Sequence, residues 1–181
     1  FKVALIAFVA FFFWARQSEV RVGAQAGSVF SAPPPSAAPP APTPPTPPST
    51  VRFLTWNLAY GYGVGSEGVG YQPKSREAYA ATLRNAGELI RALHVDVAVL
   101  QEVDFASSRS HQVDQSAELS RVSGLTHRAP VVSWQNRYVP FPYWPPSRHF
   151  GRVAWGGAVL SRFPIGENRV HIFEKPREQP F

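Results

Sequence analysis

Glu102 closes a largely apolar run, Val95-Asp96-Val97-Ala98-Val99-Leu100-Gln101-Glu102, and a carboxylate in that place calls for a cation. Burying a charge at a strand end is costly unless a counter-ion meets it, and a hard divalent ion such as Mg²⁺ takes carboxylate oxygen readily. A salt bridge on the rim of the fold is the competing reading of Glu102. Asn57 closes a second run, Val51-Arg52-Phe53-Leu54-Thr55-Trp56-Asn57. Its amide can donate to a phosphate oxygen and accept near a metal-bound water; taken alone, it reads as a turn residue.

For Glu102 and Asn57 to act together, their two strands must end on one rim. Val51 to Leu58 alternates and is rich in strand formers, which predicts a buried strand ending near Asn57. Downstream, Ser75 reads as an N-cap and Glu77 sits in a first helical turn. Tyr79, Leu83, Ala86, Ile90 and Leu93 recur with helical spacing, predicting a helix that ends near His94. Val95 to Glu102 is then a second buried strand, and a strand–helix–strand crossover brings both strand ends to the same edge. A shorter helix is expected over Asp114 to Val122, stopping at Gly124. Further strands are expected over Ala154 to Ser161 and Glu167 to Phe173, with a turn at Arg162-Phe163-Pro164 between them.

Several other features read as structural. Gly63-Val64-Gly65-Ser66-Glu67-Gly68 spells a dinucleotide-binding motif but does not open a helix, so it reads as a flexible rim of the site. Arg109, Asp114 and Gln115 read as a solvated loop and helix start, with contact to an anionic substrate as the alternative. Trp134 to Phe150 is aromatic and broken by prolines; Trp134, Tyr138, Phe141, Tyr143 and Trp144 read as local core, with an interfacial or base-stacking patch as the alternative. His94, His111, His127 and His149 read as surface or loop residues.

Three motifs in order carry a resemblance. Thr55-Trp56-Asn57, Leu100-Gln101-Glu102-Val103 and Gly156-Gly157-Ala158-Val159-Leu160-Ser161-Arg162-Phe163-Pro164 are each expected at a strand. Together they resemble the endonuclease/exonuclease/phosphatase family, which includes DNase I, apurinic endonucleases, neutral sphingomyelinases and inositol polyphosphate phosphatases. The resemblance implies a two-sheet α/β sandwich, incomplete in this chain, and a metal-dependent phosphodiesterase. It implies Glu102 as the principal Mg²⁺ ligand, with Mn²⁺ as an alternative ion, and Asn57 as the group that orients the scissile phosphate or its metal-bound water. Leu160-Ser161-Arg162 is implied to support an inner strand and the turn after it. The family's later Gly-Asp-x-Asn element and Asp-His pair have no counterpart, and His171 precedes where they would fall. The chain as given is therefore expected not to turn over substrate. A non-catalytic binding module on the same fold is the rival reading.

The flanking sequence places this domain. Residues 1–17 are almost wholly apolar up to Trp14 and read as a membrane anchor or, alternatively, a signal segment, although the apolar run alone is shorter than the ~20 residues a span needs. Residues 18–50 read as a proline-rich disordered linker, polyproline from Ser31 to Thr50, and residues 51–181 as the N-terminal part of the enzyme domain. The lack of methionine and the ending Lys-Pro-Arg-Glu-Gln-Pro-Phe read as truncation at both ends. An anchor and a stalk suit a phospholipid headgroup or nucleic acid as substrate and a domain outside the cytoplasm, tethered or secreted; no obligate protein partner is inferred. The net charge of +6 comes from scattered arginines, so charge alone does not argue for nucleic-acid binding. With no cysteine, disulfides and thiolate chemistry are excluded.

Overall fold

The computed structural model describes residues 2–31, 50–63 and 73–174. In chain order the elements are α1 (Lys2–Ala15), β1 (Gly23–Gly27), β2 (Phe30–Ser31), β3 (Phe53–Asn57), α2 (Arg76–Ala92), β4 (Val97–Asp104), α3 (Gln115–Ser123), β5 (His127–Val139), β6 (Gly151–Ser161) and β7 (Asn168–Ile172). The chain forms a mixed α/β fold with two sheets: five strands in the order β2-β5-β6-β4-β3, and an antiparallel pair of β1 and β7. Within the larger sheet β3 and β4 run parallel, joined through α2, and the other neighbours are antiparallel.

Both core helices start and stop where their capping chemistry dictates. The Ser75 side chain accepts from the Ala78 N–H at 3.2 Å, and Asp114 accepts from Ala117 N–H at 3.1 Å, each satisfying a donor with no intrahelical partner. Gly124 ends α3 at φ +79°, a left-handed C-terminal conformation that suits glycine. Tyr79, Leu83, Ala86 and Ile90 give α2 its buried stripe. The core joins Leu83, Ala86 and Ile90 of α2 and Leu119 of α3 to Ala98, Leu100, Ala158 and Leu160, with Leu54 and Trp56 packed at its edge. Alternate residues of β3 and β4 face the other way: Phe53, Thr55, Asn57, Val99 and Gln101 are exposed.

The strand β5 is the longest in the fold as described and was not expected, because Pro130 interrupts its pattern. Its tolerance has a simple cause. The carbonyl of Pro130 accepts from Asn168 Nδ2 at 3.1 Å, away from β6; an extended residue points its N–H and C=O to the same side. The missing donor therefore falls on an edge that β2 pairs only at His127 and Arg128, where proline costs no ladder bond.

The expected linker over residues 18–50 also differs at its start. Gly23–Gly27 pairs with Asn168–Ile172, and Phe30–Ser31 pairs with His127–Arg128; small residues and glycines let this segment lie flat against β7 despite its lack of a hydrophobic pattern. The proline tract at 32–49 and the glycine-rich motif from Val64 to Gly68 lie outside the described residues. Residues 2–15 form one helix, α1, with only Ala15 buried; among the described residues no helix is long and apolar enough to cross a membrane.

The Gly156-Gly157 pair sits where the inner strand is most crowded. A Cβ on Gly156 would lie 2.1 Å from the Val131 carbonyl oxygen and 2.8 Å from Ser133 N; one on Gly157 would lie 3.0 Å from the Leu100 oxygen. Gly156 is flanked by a register shift on each side, between Gln101 and Val103 in β4 and between Val132 and Trp134 in β5. Gly156→Ala is expected to lower stability by about 2–3 kcal/mol, since backbone rather than a movable side chain meets the new methyl. A urea titration checks this, and a loss under about 0.5 kcal/mol, the range of a neutral surface substitution, would contradict it.

Candidate active site

β3 and β4 are in parallel register with Asn57 opposite Gln101, so Glu102 lies one residue beyond that pair on the same rim. How Glu102 reaches the rim depends on a bulge. By strict alternation it would follow Ala98 and Leu100 toward the helices. Instead Gln101 pairs with Gly157 and Val103 with Gly156, leaving Glu102 unpaired in β4 at φ +52°. Val103 takes the core place and is fully buried. The bulge thus re-aims one side chain without spoiling the packing of the next. A left-handed conformation at a residue with a Cβ costs on the order of 1 kcal/mol, and such strain persists only where the surroundings hold it.

The surroundings here are a buried polar network. Arg109 donates from Nε to Asp104 Oδ2 at 2.9 Å and from Nη2 to Oδ1 at 2.7 Å, and the two side chains are 4% and 0% exposed. The Arg109 guanidinium lies 3.4 Å from the ring centre of Tyr60, with the rings of Phe150 and Trp155 at 4.8 and 5.4 Å. Gln115, also fully buried, accepts from Asp104 N–H at 3.0 Å and donates to the Tyr60 carbonyl. The network joins the strand just past the bulge to the turn just past Asn57. The expectation of a solvated loop at Arg109 and Gln115 is corrected: both are interior, because each meets a complementary group that compensates its desolvation.

Asn57 begins that turn. Its Oδ1 accepts from Ala59 N–H at 2.9 Å, and Leu58 N–H donates to the Gln101 carbonyl at 2.9 Å. Ala59 and Tyr60 take φ of +45° and +59°, which brings the Tyr60 ring to Arg109 and Trp155, the latter at 5.0 Å between centroids. Among the described residues no hydrogen bond takes the Nδ2 donor of Asn57.

Burial raises the Tyr60 hydroxyl pKa above its ordinary value; the Arg109 charge opposes this, and the nearby Glu102 carboxylate adds to it. Because the folded value is raised, the folded state holds its proton at pH values where the unfolded chain releases it. The resulting contribution to stability is complete below the ordinary tyrosine value near 10 and is lost as pH rises through the folded value. A Tyr60→Phe variant should accordingly show a weaker fall in stability above pH 10 than the wild type, measured by denaturant titration; equal slopes would contradict the assignment.

The remaining motif acts elsewhere. Ser161 pairs with Val97 at the opposite end of β4 from Glu102, Ser161 Oγ accepts from Phe163 N–H at 2.9 Å, and Arg162 Nε meets Asp96 Oδ1 at 3.3 Å. Among the described residues no histidine forms an ion pair or hydrogen bond with an acid: His111 Nε2 meets the Lys74 carbonyl, His127 Nδ1 meets Ser31 Oγ, and His149 Nδ1 meets Tyr138 Oη. Among the described residues no group of three or more His, Cys, Asp or Glu side chains is placed to hold a metal ion.

The fold is mixed α/β, with a carboxylate and a carboxamide brought to one rim of two adjacent parallel strands. The sequence model of the Endonuclease/Exonuclease/phosphatase family matches residues 54–179, more than half of the chain, and the chain belongs to that family. The family is hydrolytic, acts on phosphoesters such as nucleic acids, and typically depends on a divalent metal. Neither the curated proteins nor the solved structures yield a match.

Proposed function

We propose that this protein is a Mg²⁺-dependent phosphodiesterase in which Glu102 binds the cation and Asn57 orients the phosphate, Mn²⁺ serving in place of Mg²⁺. The observation that carries the reading is the state of Glu102: half-buried on a strained bulge, with no hydrogen bond or ion pair to any described residue. A salt bridge at the rim, the competing reading of this carboxylate, finds no cation among them. One carboxylate beside one amide suits Mg²⁺, which keeps several waters and completes its shell with substrate oxygens.

When bound, the cation supplies charge stabilisation on the phosphate and its leaving oxygen. The chain's own part is positioning. The bulge aims Glu102 out of the core, the turn after Asn57 leaves Nδ2 free to donate to a phosphate oxygen, and the Arg109 network keeps the two strand ends in register. A histidine paired with an aspartate, which activates water in the resembled enzymes, has no match among the described residues. The substrate we favour is a phospholipid headgroup, ahead of nucleic acid. The helix α1, apolar after Lys2, supports attachment to a membrane, and we place the domain on the extracytoplasmic side.

The test is hydrolysis of bis(p-nitrophenyl) phosphate by the full-length gene product, with Mg²⁺ or Mn²⁺ and with chelator. Metal-dependent release of nitrophenolate is expected. A folded, metal-loaded protein that is inactive on this and on a panel of lipid and nucleic-acid phosphodiesters would favour the binding-module reading.

A further inference from the structure

The β5–β6 hairpin extends past the candidate active site on its own side. Asp104, just beyond Glu102, pairs with Trp155, whereas β6 begins at Gly151 paired with Val139. At about 3.4 Å per residue, the hairpin therefore runs on the order of 14 Å further before it turns through residues 140–150. That tip is where large apolar side chains stand in solvent: Phe141 is 44% exposed, Tyr143 75% and Trp144 80%. Phe141 packs edge-on against Phe150 at 5.3 Å and Tyr143 at 6.2 Å, which ties the tip to the strand that follows it.

Two arginines, Arg137 and Arg148, border the tip in sequence, and neither forms an ion pair among the described residues; the other arginines between Leu119 and Gly166 include Arg121, Arg128 and Arg162, which are paired with acids elsewhere. Arg137 is exposed. Beside the hairpin lies α1, joined to it by the Phe11–Tyr138 ring contact at 5.6 Å, with Leu5, Ile6, Phe8 and Phe13 exposed. Aromatic rings with polar edges, flanked by two arginines and continuous with an apolar helix, match the chemistry of a bilayer interface. Tyr and Trp settle at headgroup depth, arginine stems reach apolar surface while their heads meet phosphate, and anionic lipid attracts each cation.

We propose that the tip of the β5–β6 hairpin, through Phe141, Tyr143 and Trp144 with Arg137 and Arg148, docks on an anionic phospholipid surface and presents the Glu102 rim to it. This is a second membrane contact besides the N-terminal segment. It deepens the lipid reading given above, but binding is read without turnover, so it can fail while the hydrolase reading stands. Stacking aromatics with arginines also suit single-stranded nucleic acid; the apolar helix continuous with the tip favours lipid, because a nucleic acid gives that helix nothing to bury.

The test is co-sedimentation of the 181-residue chain with vesicles of phosphatidylcholine alone or of phosphatidylcholine mixed with anionic phosphatidylserine. Tyr143→Ser/Trp144→Ser should reduce partitioning about tenfold or more, given the ring area each removes from the interface. Arg137→Gln and Arg148→Gln should each weaken binding to the anionic vesicles about fivefold and leave binding to neutral vesicles nearly unchanged. The comparison is repeated in a Phe8→Ser/Phe13→Ser background so that α1 does not mask the tip, and far-UV circular dichroism confirms folding of each variant. Unchanged partitioning of the tip variants in both backgrounds would overturn the proposal, as would their loss of oligothymidylate binding with vesicle binding intact.

Discussion

Glu102→Gln should abolish metal-dependent hydrolysis by the full-length gene product, a loss of about 1,000-fold or more, while leaving stability close to that of the wild type. The side chain is nearly isosteric, makes no ion pair or hydrogen bond among the described residues, and sits at the rim rather than in the core. What is removed is the charge that a divalent ion requires. Glu102→Gly separates function from strain. Glycine adopts φ near +52° without penalty, so this variant should lose activity equally and gain about 1 kcal/mol of stability. Kinetics with Mg²⁺ paired with urea titrations read both effects. A Glu102→Gly variant less stable than the wild type would mean that the side chain contributes to the fold, and the assignment as a metal ligand would weaken.

The second large effect is on the fold. Arg109→Met should cost about 3–5 kcal/mol, because Asp104 is fully buried and would be left without its cation. The guanidinium also fills the space between Tyr60, Phe150 and Trp155, so its loss removes packing as well as charge. Removing both charges should be far milder: Asp104→Leu/Arg109→Met is expected to recover most of the loss, since well-packed apolar pairs often equal a buried ion pair. The four stabilities form a double-mutant cycle read by denaturant unfolding. A single substitution within about 1 kcal/mol of wild type would show the pair to be hydrated. Arg109 is thus a positioning residue, and what it positions is the turn carrying Tyr60 and the strand carrying Glu102.

The strand–helix–strand unit was legible because its signals are local. Ser75, Asp114 and Gly124 mark helix ends by hydrogen-bonding chemistry, and the stripe from Tyr79 to Ile90 has helical period. The parallel pairing of the two strands and the end of β3 at Asn57 agree with the sequence reading, whereas β4 runs past Glu102 to Asp104. The bulge was missed, although a trace of it stands in the sequence: apolar core positions at Ala98 and Leu100 change parity to Val103 and Phe105, which a regular strand cannot do. Arg109 and Gln115 look like solvated residues in a string of polar ones; only the tertiary return of the chain past Asp104 and Tyr60 buries them. The strand β5 hid behind Pro130, whose edge position depends on the brevity of β2, and the β1 pairing depends on a partner far along the chain.

Paramagnetic broadening by Mn²⁺ in the amide spectrum of the isotope-labelled 181-residue chain tests the location of the metal most directly, and it needs neither turnover nor tight binding. Low Mn²⁺ concentrations are expected to erase signals from Asn57 to Gly61 and from Gln101 to Asp104 first and to leave Val97 and Ser161 to Phe163 at the far end of the sheet intact, and Glu102→Gln is expected to lose this pattern. Broadening that centres elsewhere, or that survives the substitution, would contradict the assignment of Glu102 as the metal ligand.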